Sequence, residues 1–355
     1  PLAAQARDLK KSAAAITAKD VSRRLHLIAD DSMMGRDTPS PGLETAAGYI
    51  AAQFKAFGLR PGGDSGTYVQ RFPLVLRQLQ ADRSYVEFTE LNGQGTILLP
   101  YATSVVQHAG EQDGKPVTAP ILLLGGPPNP ERFPAESVVA GKLLVWVVPW
   151  SEVPKFANAI VLKAMAAGAA GVIAVSDRDT TVIAAVAGQA GRVQVSRDEA
   201  AARKGGIPLV VEVPQAAIVA RFPQAQGVFD QLNAASDMTV LPMPAWEATV
   251  MAADTVLGTA SAPNVVGILE GTDPTLKHEY VVFSAHMDHV GISPGKPDSI
   301  NNGADDDGSG TVGILELAEA FTRKHAATRR SLIFLTVSGE EKGLWGSAYF
   351  TAHPP

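Results

Sequence analysis

The sequence predicts an α/β fold: a mixed, mainly parallel sheet flanked by helices, with a smaller α/β lobe inserted. Three observations carry this. Near the C-terminus an apolar run, a helical pattern and a second apolar run follow one another. In the middle of the chain, short apolar strands alternate with an Ala-rich helix and frequent Pro and Gly. The first hundred residues read as helices followed by strands, too few to close a sheet alone.

In chain order, Ala3 to Ala15 is Ala-rich and charged, an expected amphipathic helix. Thr17 is placed to cap a second helix running to about Ala29. Leu43 to Phe57 is a third, with Ala47, Ile50, Phe54 and Phe57 on one face and Gly58 ending it. Thr67 to Leu76 and Ser84 to Thr89 read as strands, and residues 1–99 form the first part of the main domain. Residues 100–245 are the expected insert. Its strands are Ile121–Leu124, Leu143–Val148, Gly171–Val175 and Leu209–Val213, with a helix from about Phe156 to Ala167. No G-x-G-x-x-G follows a strand there, which argues against a dinucleotide site.

Residues 246–355 complete the chain. Tyr280 to Ala285 is expected to be a buried strand and Ser331 to Val337 a second one. Between them Val312, Ile314, Leu315, Leu317, Ala318 and Phe321 share a helical face, with Glu316 and Glu319 on the other side; Arg323, Lys324 and His325 place positive charge at the helix end. A βαβ unit makes the two strands parallel and puts their carboxyl ends at one edge, where open α/β sheets bind ligands.

That edge is rich in metal-binding side chains. His286-Met287-Asp288-His289 ends the first strand, Gly303-Ala304-Asp305-Asp306-Asp307-Gly308-Ser309-Gly310 precedes the helix, and Ser338-Gly339-Glu340-Glu341-Lys342-Gly343 follows the second strand. Two carboxylates about 4 Å apart repel by roughly 4 kcal/mol at an effective dielectric near 20. A divalent cation would compensate, and His with carboxylates suits zinc. Each cluster alone reads as a solvated acidic loop; the three in order at one sheet edge do not.

Composition narrows the remaining classes. Of 355 residues, 46% are hydrophobic, 30 are Lys or Arg and 36 are Asp or Glu, for a net charge of -6. Mild acidity with scattered basic residues argues against nucleic acid as a partner. Zero cysteines exclude thiolate zinc sites, disulfides and Cys nucleophiles. No apolar run approaches ~20 residues, so no membrane span is expected.

The order H-x-D, G-A-D-D-D-G-S-G, G-E-E-K-G-L-W-G-S resembles the binuclear zinc aminopeptidases, a family that includes bacterial leucyl aminopeptidases, aminopeptidase S and, more distantly, glutamate carboxypeptidase II and glutaminyl cyclases. The match runs from about Asn264 to Phe350. Leu25 to Phe72, with Met34-Gly35-Arg36-Asp37, Gly58-Leu59-Arg60-Pro61 and Gly66-Thr67-Tyr68, is similar to the family's secreted bacterial members, and the middle of the chain resembles a protease-associated domain. The resemblance implies a zinc-exopeptidase fold and two Zn2+ ions per complete site. His286 would bind one zinc, Asp306 would bridge both and Glu341 would bind the other. Glu340 would be the general base and Asp288 would accept the second ring N–H of His286. A cis peptide is implied after the bridging Asp, at Asp306–Asp307.

The implied activity is release of N-terminal residues from peptide substrates. Carboxypeptidase or glutaminyl cyclase chemistry on the same scaffold is the alternative within enzymes, and a metal-free, transferrin-receptor-like binding protein the alternative outside them. Two more ligands, a carboxylate and a His, would lie beyond Pro355, so the chain is expected to be a C-terminally truncated fragment, inactive alone. The start at Pro1 without Met suggests a processed or cropped beginning, and the bacterial relatives imply a periplasmic or extracellular location. His289 is expected to make a structural hydrogen bond and Trp345 a packing contact. His26, His108, His278, His325 and His353 have no carboxylate constellation nearby, Asp305 and Asp307 are solvated or hold their loop, and oligomeric state has no signature.

Overall fold

The computed structural model describes residues 11–93, 95–109, 115–127, 129–187, 193–197, 209–295, 297–323 and 328–355. The expected Ala3–Ala15 helix falls largely outside these, as do Lys324 and His325 and the side chain of His108. The fold is mixed α/β. The chain forms two compact units, Pro1–Leu74 with Thr259–Pro355, and Val75–Gly258. The division expected at 99/100 and 245/246 falls inside the second unit. Strands Val69–Leu79 and Asp254–Leu269 carry the chain across the two boundaries.

In the first unit Tyr280–His286, Ser331–Val337, Asp254–Leu269 and Val69–Leu79 lie side by side in that order. The first pair is parallel, with Tyr280 opposite Ser331 and His286 opposite Val337. The next is antiparallel, with Val265 opposite Thr336. Helix Ser309–Thr322 connects the parallel strands, giving the βαβ unit. Helix Pro41–Ala56 begins where Ser40 accepts the Leu43 N–H at 3.1 Å, with Pro41 in its first turn. Its buried Leu43, Ala47, Ile50 and Phe54 pack with Val265, Ile314, Leu315, Ala318 and Phe334. Phe283 stacks on Phe334 and on Phe321 with centroids 5.7 and 5.8 Å apart.

One expectation needs correcting. Tyr280 to Ala285 is not a buried strand: Tyr280, Val281 and Val282 are 50%, 41% and 46% exposed. Among the described residues this strand pairs on one side only, and an apolar run does not distinguish a central strand from an outer one. Glu316, expected opposite the apolar face of its helix, does not lie in solvent there. It is buried, with Oε1 accepting from Arg24 Nη1 at 2.5 Å, while Glu319 accepts from Arg24 Nη2 at 2.5 Å. Arg24 comes from helix Ala18–Ile28, which Thr17 caps through the Asp20 N–H. Glu316 therefore faces a second helix rather than water, while Glu319 stays partly exposed.

The second unit is built on an eight-stranded sheet. Val117–Gly125, Leu143–Val148, Gly171–Ser176 and Leu209–Pro214 are parallel neighbours in that order. The last three are buried at every position, which is why they read as apolar runs, Glu212 and Ser176 being the buried polar exceptions. Antiparallel strands Thr96–Pro100, Tyr85–Glu90 and Thr239–Met251 extend one side and Val106–Ala109 the other. Thr239–Met251 escaped the sequence reading because Pro242 and Pro244 interrupt it. Its register against Val117–Gly125 shifts between Pro242 and Glu247, so the strand survives as two ladders around a break.

Candidate metal centre

The parallel pairing of Tyr280–His286 with Ser331–Val337 decides the site. Because His286 stands opposite Val337, the three residues after Val337 pass beside the loop that follows His286. The Met287 N–H donates to Val337 O at 2.8 Å and fixes that approach. The third segment arrives from the helix. Asp307 Oδ1 accepts the Gly310 N–H at 2.9 Å at the start of Ser309–Thr322, and Oδ2 accepts the His286 N–H at 3.1 Å. The Thr311 hydroxyl donates to His286 O at 2.8 Å. Asp307 thus ties the acidic loop to the strand end; Asp305 is exposed. The Asp306–Asp307 peptide is cis.

His286, Asp306 and Glu341 each present one ligand atom, and these atoms all lie within 4.8 Å of one another. His286 Nε2 is 3.1 Å from Asp306 Oδ1 and 3.8 Å from Glu340 Oε2. Two ligands about 2.0 Å from a tetrahedral zinc stand about 3.3 Å apart, so the His286–Asp306 edge has the length zinc needs. The donor set, one imidazole nitrogen and carboxylate oxygens, suits the same ion. Burial alone would lower the His286 pKa. The nearby Asp288 carboxylate, 3.7 Å from Nδ1, and the charges of Asp307 and Glu340 outweigh burial and raise it to about 9. The pocket therefore favours a cation on or beside this imidazole.

Asp288 is fully buried, and both its main-chain oxygen and its carboxylate lie near the His286 ring nitrogen. His286 Nδ1 is 3.1 Å from the main-chain oxygen of Asp288 and 3.7 Å from its carboxylate Oδ1, so the nearer acceptor for the ring N–H is the carbonyl. The carboxylate is occupied by others. Oδ2 accepts from Gly339 N at 2.8 Å and from the Thr38 hydroxyl at 2.9 Å, and Oδ1 accepts from Glu340 N at 3.3 Å. Asp288 thereby holds the backbone that presents Glu340 and Glu341. Gly339, at φ +70°, makes the turn out of the strand. His289 Nδ1 lies 2.7 Å from Glu341 Oε1, fixing the second carboxylate of the pair. Trp345 is buried, as a packing residue would be.

Residues 264–355 match the family model described as Peptidase family M28. Over 87 residues, 24% of this chain and 16% of its own length, a probable zinc metalloprotease of Pyricularia oryzae is 42% identical. Aminopeptidase YwaD of Bacillus subtilis is 33% identical over 94 residues, 26% of this chain and 18% of its own length. A vacuolar membrane protease of Tuber melanosporum is 34% identical over 95 residues, 26% of this chain and 9% of its own length. The alignments thus cover less than a fifth of these curated relatives. Among solved structures, an aminopeptidase from Aneurinibacillus sp. strain AM-1 is 18% identical with a TM-score of 0.46, over 97% of this chain and 68% of that one. Among the described residues, no helix is long and apolar enough to cross a membrane.

Two residues of this site were not expected to belong to it. Thr38 reaches Asp288, and Arg36 reaches both loops. Both lie in a segment that the sequence marked only by its similarity to secreted relatives, some 250 residues upstream of the acidic clusters.

Proposed function

We propose that this chain carries part of the metal site of a zinc-dependent exopeptidase that releases N-terminal residues from peptides. The observation that supports it best is the convergence of His286, Asp306 and Glu341, with the Glu340 carboxylate beside them, at the carboxyl ends of two neighbouring parallel strands. In this reading His286 would hold one zinc and Glu341 the other, with Asp306 serving both. Zinc, when bound, supplies Lewis acidity toward a peptide carbonyl and lowers the pKa of a coordinated water. Glu340 takes a proton from the attacking water and delivers it to the leaving amine. Asp288 and His289 keep the two glutamates apart, one by its backbone and one by its side chain, so the neighbours hold different tasks. Residues 100–245, which fall within the Val75–Gly258 unit, are read as a protease-associated insert, supported by that unit's eight-stranded sheet and its place in the chain between two segments of the first unit. Export to the periplasm or beyond belongs to the same reading.

Metal analysis of the full-length protein, together with turnover of aminoacyl-anilides by wild type and Glu340→Gln, tests this. Two zinc ions per chain, retained in a Glu340→Gln protein that has lost nearly all turnover, is the expected result. One zinc would favour cyclase chemistry, none a binding protein, and near-normal turnover by Glu340→Gln would remove Glu340 from its role.

A further inference from the structure

We infer that Arg36 is a positioning residue for the metal site, the group that holds its three ligand-bearing segments in register. The inference rests on the zinc-site reading above, and its support is geometric. The Arg36 side chain is completely buried. Its Nε donates to Met287 O at 2.8 Å, within the loop between His286 and Asp288. Nη1 donates to Asn302 O at 2.8 Å and to Ile28 O at 2.6 Å, and Nη2 donates to Gly303 O at 2.9 Å. Asn302 and Gly303 lead directly into Ala304 and the acidic triplet. One planar fork thus spans the strand-end loop and the acidic loop.

The Arg36 backbone acts on the third segment only through His289. Its carbonyl accepts the His289 N–H at 3.2 Å, and His289 holds Glu341. Gly35 O likewise accepts the Gly291 N–H at 3.0 Å. The local conformation is unusual: Met34, Gly35 and Arg36 all have positive φ, of 52°, 66° and 50°. Left-handed backbone at two non-glycine residues costs energy and persists only where the surroundings enforce it. At Gly35 a Cβ would stand 2.5 Å from Gly291 O and 2.6 Å from Asn301 O, so the segment is pressed against both loops.

Charge is a second part of the role. Burial works against the Arg36 cation and lowers its pKa, while Asp288 and Asp307 support it. Guanidinium still keeps its proton at any accessible pH. The cation is therefore supported by the two carboxylates that shape the loops, and its hydrogen bonds go to main-chain oxygens. Lysine would keep the charge. It has a single nitrogen, and cannot reproduce four bonds to four carbonyls across a plane.

The test compares Arg36→Lys and Arg36→Met with wild type in the full-length protein. Zn2+ affinity would be measured by chelator competition on folded protein, and Co2+ would report ligand geometry through its visible absorption. A buried arginine elsewhere supplies the control. Arg24→Met breaks the pair with Glu316 and Glu319 and touches no ligand-bearing loop. We expect Zn2+ affinity to fall roughly 10-fold in Arg36→Lys and up to about 100-fold in Arg36→Met, the range for groups that orient ligands, with altered Co2+ spectra. Arg24→Met should lose thermal stability yet stay within about twofold of wild-type affinity, a change too small to register as a repositioned ligand. Failure of wild type to bind Zn2+ would defeat the zinc reading itself. Binding by wild type with unchanged affinity and spectrum in Arg36→Lys and Arg36→Met would defeat the positioning role alone, as would equal losses in Arg24→Met. Should the Arg36 variants not fold, amide exchange in wild type decides: Zn2+ should slow exchange at His289 and Gly291, because coupling is reciprocal. Slowing confined to Gly339 and Glu340 would overturn the inference.

Discussion

Replacing Asp288 by Asn should separate the scaffold of this site from its charge. The substitution conserves shape and removes one oxygen. Oδ2 serves two donors, Gly339 N at 2.8 Å and the Thr38 hydroxyl at 2.9 Å, while Oδ1 serves Glu340 N at 3.3 Å and lies 3.7 Å from His286 Nδ1. An asparagine oxygen can take the first position, because two good donors converge there. Its NH2 then faces the Glu340 N–H, donor against donor, in a fully buried place. Two charge-assisted bonds become neutral ones, at a cost of about 1 kcal/mol each, and one buried donor is left unpaired at about 1–3 kcal/mol. The sum is roughly 3–5 kcal/mol for the first unit. At 2–4 °C per kcal/mol for a unit of this size, its unfolding transition should fall by roughly 6–20 °C. Calorimetry of the metal-free protein measures the loss directly. Zn2+ should also bind roughly 10- to 100-fold more weakly, since the turn that presents Glu340 and Glu341 loosens. A transition within 1 °C of wild type would show that the buried carboxylate is not what holds the turn.

Three further outcomes follow from neighbouring geometry. Arg24→Met should destabilise the protein by about 3–5 kcal/mol in denaturant unfolding, because it leaves Glu316 charged and unpaired among buried groups; a loss below about 1 kcal/mol would mean that water reaches Glu316. Gly346→Ala should cost about 1–3 kcal/mol, since a Cβ there would collide with Asn264 Oδ1 and the Ser338 carbonyl, and a neutral result would show that the helix Trp345–Ala352 can shift freely. In metal-free protein the raised His286 pKa means that its protonated form stabilises the fold. That contribution is complete below about pH 6.5 and disappears as pH rises through about 9. Stability curves of wild type and His286→Ala over pH 6–10 should therefore converge toward high pH, and parallel curves would contradict the shift.

How much of this was readable in the chain depends on the range over which the signals act. His286, Asp306 and Glu341 were legible because each lies at or beside the end of a segment with its own periodicity, and one parallel crossover brings the segments together. Strand Ser331–Val337 was legible for the same reason. The outer position of Tyr280–His286 was not, because exposure depends on what lies beside a strand and the strand's residues carry no record of it. Glu316 shows the same limit: on its own helix it belongs to the polar face, and only the arrival of Arg24 from 292 residues away makes that face an interior.

Arg36 and Thr38 mark the limit most sharply, and they suggest why the site is built as it is. A carboxylate cluster repels itself, so its loops cannot be held by apolar packing at the point where the charges meet. Hydrogen bonds to their backbone can hold them. Arg36 binds four carbonyls and Asp288 accepts two amides, so the loop backbones are fixed by a buried cation and a buried anion that leave the outward carboxylates free. Such contacts use main-chain atoms, which every residue has. The loops they grip therefore show their acidic side chains in the sequence but nothing of these contacts, and Arg36 shows only an arginine next to a glycine. A charged side chain that is wholly buried against carbonyls becomes visible only once the backbone it serves has been placed.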